Sequence, residues 1–131
     1  MLNRRHLVSA LSLLMLPLSN WQAAAMERKP FDAKAFADAQ SAGQPILVEI
    51  SAVWCPICRV QKPILSNLAG KAKFKDVTLF EIDFDTQKDL LRTFNVQKQS
   101  TLIAFKGRAE VGRSTGDTNP TSIEALLDKA V

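Results

Sequence analysis

Cys55 and Cys58 are the only thiols among the 131 residues, and two residues separate them, directly after an apolar run. Cysteines at this spacing can form a disulfide, cycle between disulfide and dithiol, or bind a soft metal ion. A disulfide that closes so short a loop removes little entropy from the unfolded chain, so it stabilises a fold only weakly. The pair therefore favours redox exchange or metal binding over a structural cross-link.

The first 25 residues have the layout of a secretory signal peptide, with a basic start, an apolar stretch and small residues before a cleavage point. These features are Arg4 and Arg5, the run 7–18, and Ala23 to Ala25. The run is short for a membrane-spanning helix, which needs roughly 20 apolar residues, and an uncleaved anchor is the alternative. We expect cleavage near Ala25 and a mature domain of residues 26–131.

Two export routes fit the basic start. Arg4 and Arg5, followed closely by apolar residues, resemble a twin-arginine signal, but an ordinary Sec signal also has basic residues ahead of its apolar core. Both routes lead to the periplasm, where disulfides persist. The predicted localisation is therefore periplasmic.

Charge and composition argue against a nucleic-acid partner. The chain has 17 Lys and Arg residues against 13 Asp and Glu, and two of the arginines lie in the predicted signal peptide. The one basic cluster of the predicted domain is Lys71, Lys73 and Lys75, without a repeat of aromatic side chains, which is typical of a solvated loop. The only histidine, His6, precedes the domain.

Hydrophobic periodicity predicts alternating helices and strands in one small domain. The predicted elements are a helix over 31–41, a strand over 46–50, a helix from the cysteines to Gly70 kinked at Pro63, a strand over 77–82, a helix over 88–94, strands over 101–105 and 109–112, and a last helix from Pro120. The strand 46–50 has little polar alternation, so we expect it to be buried on both faces. The predicted fold class is α/β, a single domain with a mixed central sheet flanked by helices.

The chain resembles the thioredoxin family over nearly all of the predicted domain. The matching pieces are Ile46-Leu47-Val48-Glu49, Trp54-Cys55-x-x-Cys58, Lys62-Pro63-Ile64-Leu65, Glu81-Ile82-Asp83, the run from Thr101 to Lys106 before a glycine turn, and Val111-Gly112. The cysteine pair alone is a weak motif, but its tryptophan, its kink proline and the order of the strands make the resemblance specific. It implies a thioredoxin-like domain over residues 26–131.

The resemblance implies a role for each cysteine and for one acid. Cys55 would be the exposed nucleophile that attacks a substrate disulfide, and Cys58 would resolve the mixed disulfide. A helix that starts at Cys55 would favour its thiolate. Glu49 stands where the family has a buried acid that exchanges a proton with the second cysteine; the alternative is a glutamate on an exposed strand face. Leu79 stands where the family often has a lysine paired with that acid.

Three residues of the motif are predicted to contact substrate. Trp54 would pack beside the cysteines and shield them. Aromatic side chains also make good interaction surfaces, so Trp54 is expected to contact substrate as well. Pro56 would stiffen the turn at an early helix position, where its missing N–H costs least. Ile57 is expected to be exposed and to touch substrate.

Ser100 and Thr101 are the remaining predicted substrate contacts. The family has a cis-proline before the residue that matches Thr101, and this proline faces the cysteines and presents backbone to substrate. A cis bond without proline costs about 2.5–4 kcal/mol. Either the Gln99-Ser100 bond is trans and the docking surface differs, or the fold holds a strained cis bond. The Ser100 hydroxyl could also donate a hydrogen bond to a thiolate at Cys55.

The predicted function is an exported thiol–disulfide oxidoreductase that reduces disulfides in periplasmic proteins. Strong oxidants of this fold typically have a histidine between the cysteines, and Pro56-Ile57 has none. The expected partners are protein disulfides and a membrane electron donor, and we expect a monomer with no bound cofactor or metal. The alternatives are a periplasmic oxidant or isomerase, and a copper module whose two thiolates hold Cu(I). Copper carriers of this fold use a histidine ligand, which residues 26–131 lack.

Overall fold

A computed structural model of the protein describes residues 25–131. In chain order the elements are β1 (Glu27–Pro30), α1 (Ala33–Ser41), β2 (Pro45–Ser51), α2 (Pro56–Ala69), a 3₁₀ turn (Ala72–Phe74), β3 (Thr78–Asp83), α3 (Lys88–Thr93), β4 (Thr101–Lys106), β5 (Ala109–Thr115) and α4 (Pro120–Asp128). The predicted signal peptide, apart from Ala25, lies outside the described residues. Within 25–131 no helix has the length and apolarity of a membrane span.

The five strands form one mixed sheet in the order β1-β3-β2-β4-β5. β2 lies at the centre, parallel to β3 on one side and antiparallel to β4 on the other. β1 continues the sheet parallel to β3, and β5 pairs antiparallel with β4 at the opposite edge. The predicted α/β domain with a mixed sheet flanked by helices is confirmed.

The central place of β2 follows from its apolar sequence. Its interior residues, Ile46 to Ile50, are all buried, and successive side chains point to opposite faces of the sheet. Leu47 packs in a cluster with Leu65 of α2, and Val48 packs on the other face in a cluster with Phe80. The predicted burial of this strand on both faces is therefore confirmed.

The periodicity misses β1, because this strand has no apolar pattern. Its sequence, Glu-Arg-Lys-Pro, is charged and ends in proline, unlike the β-branched and aromatic residues typical of strands. An edge strand tolerates such residues, since it pairs on one side only and much of its surface stays in water. β1 matters for the functional site because it carries Arg28.

The basic cluster lies against α4. The Nζ atoms of Lys71 and Lys73 each lie 2.8 Å from Oε1 of Glu124, and Lys73 Nζ also lies 2.8 Å from Oδ1 of Asp128. The hydrogen bonds from Lys71 and then Lys73 hold the pKa of Glu124 below its ordinary value. Two of the three clustered lysines thus connect the 3₁₀ region to the last helix.

Candidate active site

The two cysteines lie where the chain leaves the centre of the sheet and enters a helix. β2 ends at Ser51, and Cys55 is the N-cap residue of α2. The backbone N–H of Cys58 donates to Sγ of Cys55 at 3.1 Å. Pro56 occupies the first position of the helix, where its missing N–H leaves no donor unpaired. A free helix N–H is therefore aimed at the sulfur that the resemblance assigns as nucleophile.

Cys55 and Cys58 form a disulfide, with their Cα atoms 5.3 Å apart. Ala52 and Phe84 pack against the pair. The relative exposure of Cys55 is 0%, and that of Cys58 is 1%. The expectation of an exposed Cys55 is thus wrong for the disulfide form, because this residue is enclosed between the end of β2 and the first turn of α2.

Four apolar side chains within two positions of the cysteines in the sequence are exposed, and we call them the apolar rim: Val53, Trp54, Ile57 and Val60. The predicted exposure of Ile57 is confirmed, and Val53 is the most exposed of the four, at 86%. Trp54 stands with its ring edge-on to Phe84, and its Nε1 donates to Oδ2 of Asp85 at 2.8 Å. Large apolar side chains gathered at a surface are typical of an interaction site.

The sequence pattern does not predict that Val60 belongs to the apolar rim. Helical spacing of apolar residues would place Val60 with Leu65 and Leu68 on the buried face of α2. In the structure the buried stripe of this helix is Cys58, Gln61, Leu65 and Leu68, and Val60 points to solvent. The apolar residue at 60 and the polar residue at 61 are together the signal that the buried face is offset by one position.

Glu49 is buried and paired with two cations. Its side chain is 2% exposed; Arg28 Nη2 lies 2.6 Å from Oε2, and Lys62 Nζ lies 2.9 Å from Oε1. Arg28 also contacts Glu81, with its Nε 2.8 Å from Oε1. We call these four residues, Arg28, Glu49, Lys62 and Glu81, the charge cluster. The alternative of a glutamate on an exposed strand face is therefore wrong.

Strand register explains how the charge cluster forms. Glu49 of β2 pairs directly with Glu81 of β3, so their carboxylates lie on the same face of the sheet. Leu79, where the family often has a lysine, pairs with Arg28 of β1. The cation is thus supplied by the neighbouring strand instead of by β3. The sequence pattern does not predict this partner, because the charged residues of β1 lack the apolar pattern of a strand.

The charge cluster connects the buried acid to water. Lys62 is nearly half exposed, and it lines an open cleft of about 260 Å³ together with Glu81, Ala52 and Val53. Lys62 thus contacts the buried Glu49 carboxylate and also lines the cleft that Ala52 and Val53 share.

The loop before β4 departs from the family pattern as its sequence indicates. No peptide bond among residues 25–131 is cis, so Gln99-Ser100 is trans, and Ser100 has a φ of 59°. For a residue other than glycine this left-handed conformation costs roughly 1–2 kcal/mol. The Ser100 hydroxyl donates to its neighbour's carbonyl, Gln99 O, at 2.5 Å, so its proton is not directed at Cys55.

Thr101 is buried, and its hydroxyl is also used within the protein. It donates to Lys98 O at 2.7 Å and lies 3.3 Å from the hydroxyl of Thr115. The substrate contacts predicted at Ser100 and Thr101 stay predictions, and with both hydroxyls engaged they concern backbone groups.

The residues described, 25–131, contain no group of three or more His, Cys, Asp or Glu side chains arranged to hold a metal ion. A metal at this site would have only the two cysteine sulfurs as its ligands from those residue types.

Comparison with known proteins agrees with this geometry. A family model described as Thioredoxin matches residues 27–129. The thioredoxin of Mycobacterium bovis is 35% identical over 103 residues, which are 79% of this chain and 88% of that protein. The bifunctional thioredoxin reductase/thioredoxin of Mycobacterium leprae is 35% identical over 85 residues, 65% of this chain but 18% of that protein. The crystal structure of Trxlp from Edwardsiella tarda superposes with a TM-score of 0.75 at 40% identity, covering 77% of this chain and 98% of that one.

The mixed sheet and the disulfide at the start of α2 define a thiol–disulfide oxidoreductase of one domain. With the family model matched over almost all of the described residues, the chain belongs to the thioredoxin family.

Replacing both Arg28 and Lys62 by methionine would leave the Glu49 carboxylate buried without a cation. We expect the free energy of unfolding at pH 7 to fall by about 3–5 kcal/mol, the cost of an unpaired buried charge. Adding Glu49→Leu should recover most of this loss, because the charge itself is then removed. Urea denaturation of the double and triple variants measures both changes.

The matched control is Lys34→Met, which breaks a pair with Asp38 in which both side chains are exposed. Its effect should stay within about 0.5 kcal/mol. A double variant no less stable than this control would contradict the assigned role of the two cations.

Ser100→Pro tests the conformation of the loop before β4. The proline ring holds φ near −65°, which is incompatible with the positive φ at this position, so we expect a loss of about 1–3 kcal/mol in the free energy of unfolding. Ser100→Gly is the control, because it also removes the hydroxyl but adopts a positive φ freely. Equal stabilities of the two variants in urea would show that the loop does not require a left-handed residue.

Proposed function

We propose that this protein is an exported thiol–disulfide oxidoreductase that reduces disulfides in periplasmic proteins. The observation that carries the proposal is the hydrogen bond from the Cys58 N–H to Sγ of Cys55 at the first turn of α2. Donors and the dipole at a helix N-terminus stabilise a thiolate. The thiolate is the form of cysteine that attacks a disulfide.

The proposed cycle transfers two electrons from the protein to its substrate. The Cys55 thiolate attacks one sulfur of a substrate disulfide, forms a mixed disulfide and releases the other substrate sulfur as a thiolate. Cys58 then loses its proton and attacks Sγ of Cys55, which closes the protein disulfide and releases the second substrate thiolate. A dithiol donor in the membrane reverses these two exchanges and returns the protein to its reduced form.

Glu49 is the proposed acceptor of the Cys58 proton. Its carboxylate is buried on the strand that leads to Cys55 and is paired with Arg28 and Lys62, and a carboxylate at such a place can act as a general base. Lys62 and the cleft beside it offer the proton a route to water. Glu49 would therefore accept a proton during resolution of the mixed disulfide and release it before the next turnover.

The apolar rim is the proposed docking surface for protein substrates. Its side chains suit the apolar residues that flank a cysteine in an extended or partly unfolded segment. Pro56 lies between Trp54 and Ile57 of the rim and stiffens the turn that carries Cys55. One chain supplies both cysteines, the acid and the rim, so we propose that the protein acts as a monomer.

The direction of electron flow is tested by the reduction potential. We expect a value near the ~−270 mV of thioredoxin, because no histidine between the cysteines stabilises the dithiol form. The protein is equilibrated with thiol–disulfide buffers and followed by the fluorescence of Trp54. The control carries both Cys55→Ser and Cys58→Ser and gives no redox transition, because it has no thiol. A value near the ~−120 mV of the oxidant DsbA would instead indicate an oxidant or isomerase.

Export and the roles of the two cysteines are tested together by trapping. Cys58→Ser in the full chain, expressed in a Gram-negative bacterium, should accumulate mixed disulfides between Cys55 and periplasmic proteins, because the resolving thiol is gone. The control carries Cys55→Ser as well and should capture nothing. Capture of cytoplasmic proteins alone would contradict export. Adding Arg4→Lys and Arg5→Lys abolishes the capture if the twin-arginine route is used and leaves it if the Sec route is used.

A further inference from the structure

Gln61 is a buried polar residue that the proposed cycle does not use. It lies one turn after Cys58 in the buried stripe of α2, between Cys58 and Leu65, and is 1% exposed. An amide buried among apolar side chains is costly unless it is hydrogen-bonded. Its contacts are therefore expected to matter for the segments around it.

The amide of Gln61 joins two loops, the one before β4 and the one after β5, to the helix that carries the cysteines. Its Nε2 donates to the carbonyl of Ser100 at 3.2 Å and to the carbonyl of Asp117 at 2.9 Å. We call these two bonds the Gln61 tether. Both partners are carbonyl oxygens, so only the amino group can face them, and the orientation of the amide is determined.

A third bond completes the arrangement. The N–H of Gly116 donates to the same Ser100 carbonyl at 3.0 Å, and Gly116 lies close to Ile57, since a Cβ placed on it would be 3.9 Å from Ile57 Cδ1. The loop before β4 and the loop after β5 are thus held to each other and to the helix that carries both cysteines.

The Gln61 tether explains how Ser100 keeps its conformation without a proline. Ser100 combines a trans peptide bond with a positive φ, which its own side chain does not favour. A proline ring would restrict φ covalently. Here the Gln61 amide and the Gly116 N–H both donate to the Ser100 carbonyl and hold it in place. The register of β2 and β4 pairs the next residue, Thr101, with Ile50. The loop at Ser100 therefore lies at the carboxyl end of β2, from which the chain runs to Cys55.

We propose that Gln61 is a positioning residue that sets the docking backbone of the loop at Ser100 and so determines the affinity for protein disulfides. This inference rests on the proposed function. A protein substrate that pairs with the loop needs it in one conformation. A small disulfide that only meets Cys55 does not. Loss of the Gln61 tether should therefore weaken the binding of proteins and leave the exchange chemistry intact.

The test is Gln61→Met, which keeps the length of the side chain and removes the amide. With insulin as the protein disulfide, we expect KM to rise about fivefold to tenfold, as for the loss of positioning hydrogen bonds, with kcat within about twofold of wild type. The rate with a small aromatic disulfide, dithiobis(nitrobenzoate), and the equilibrium constant with glutathione should both stay within about twofold. Asn67→Met, an exposed change on the same helix, is the matched control and should alter none of these quantities.

The outcomes separate the two proposals. A wild-type protein that reduces neither disulfide overturns the proposed function itself. A wild-type protein that reduces both, with Gln61→Met either unchanged or equally impaired towards both, overturns the role of Gln61 alone. A selective rise in KM for insulin supports it.

A measurement on the wild-type protein keeps the proposal testable if the variant does not fold. The side-chain amide protons of Gln61 and the backbone N–H of Gly116 should exchange slowly with solvent in nuclear magnetic resonance spectra. The Gln61 amino group is bonded to Ser100 O and Asp117 O, and the Gly116 N–H is bonded to Ser100 O. Rapid exchange of the Gln61 amide would overturn the Gln61 tether.

Discussion

The site depends on the confinement of β2 at the centre of the sheet. This strand is hydrogen-bonded on both sides and covered on both faces, so its path is determined by β3 and β4 together. The chain leaves its carboxyl end at Ser51 and reaches the N-cap of α2 at Cys55. The sulfur therefore meets the donors of a helix N-terminus because the strand before it cannot shift.

Because β2 is buried on both faces, placing the Glu49 carboxylate in it costs free energy. A carboxylate inside a strand with no open face needs charged partners, and the neighbouring elements supply them. Arg28 comes from the edge strand β1 and Lys62 from the helix that carries the cysteines. Glu49 lies on the strand that leads to Cys55, and Lys62 lies on the helix that carries Cys58, so the same two elements place the charge cluster and the redox pair. This shared placement is the reason for proposing Glu49 as the proton acceptor.

Much of the fold could be predicted from the sequence, because its main elements are locally encoded. The apolar run of β2 and the periodicity of α2 identify the centre of the sheet and the redox helix. β1 escapes prediction because an edge strand needs no apolar face. Within α2, periodicity places Val60 on the buried side, whereas the stripe that starts at Cys58 buries Gln61 instead. An offset of one residue decides which side chain forms the surface.

The sequence by itself determined the chemistry: two cysteines at this spacing, an acid in an apolar strand, and serine in place of proline before Thr101. Only the tertiary structure decided how that chemistry is surrounded. The partners of Glu49 lie 21 and 13 residues away along the chain, and those of Gln61 lie 39 and 56 residues away. Local sequence patterns predict the secondary structure and burial of a segment. Long-range contacts depend instead on strand order and register, which the packing of the whole domain determines.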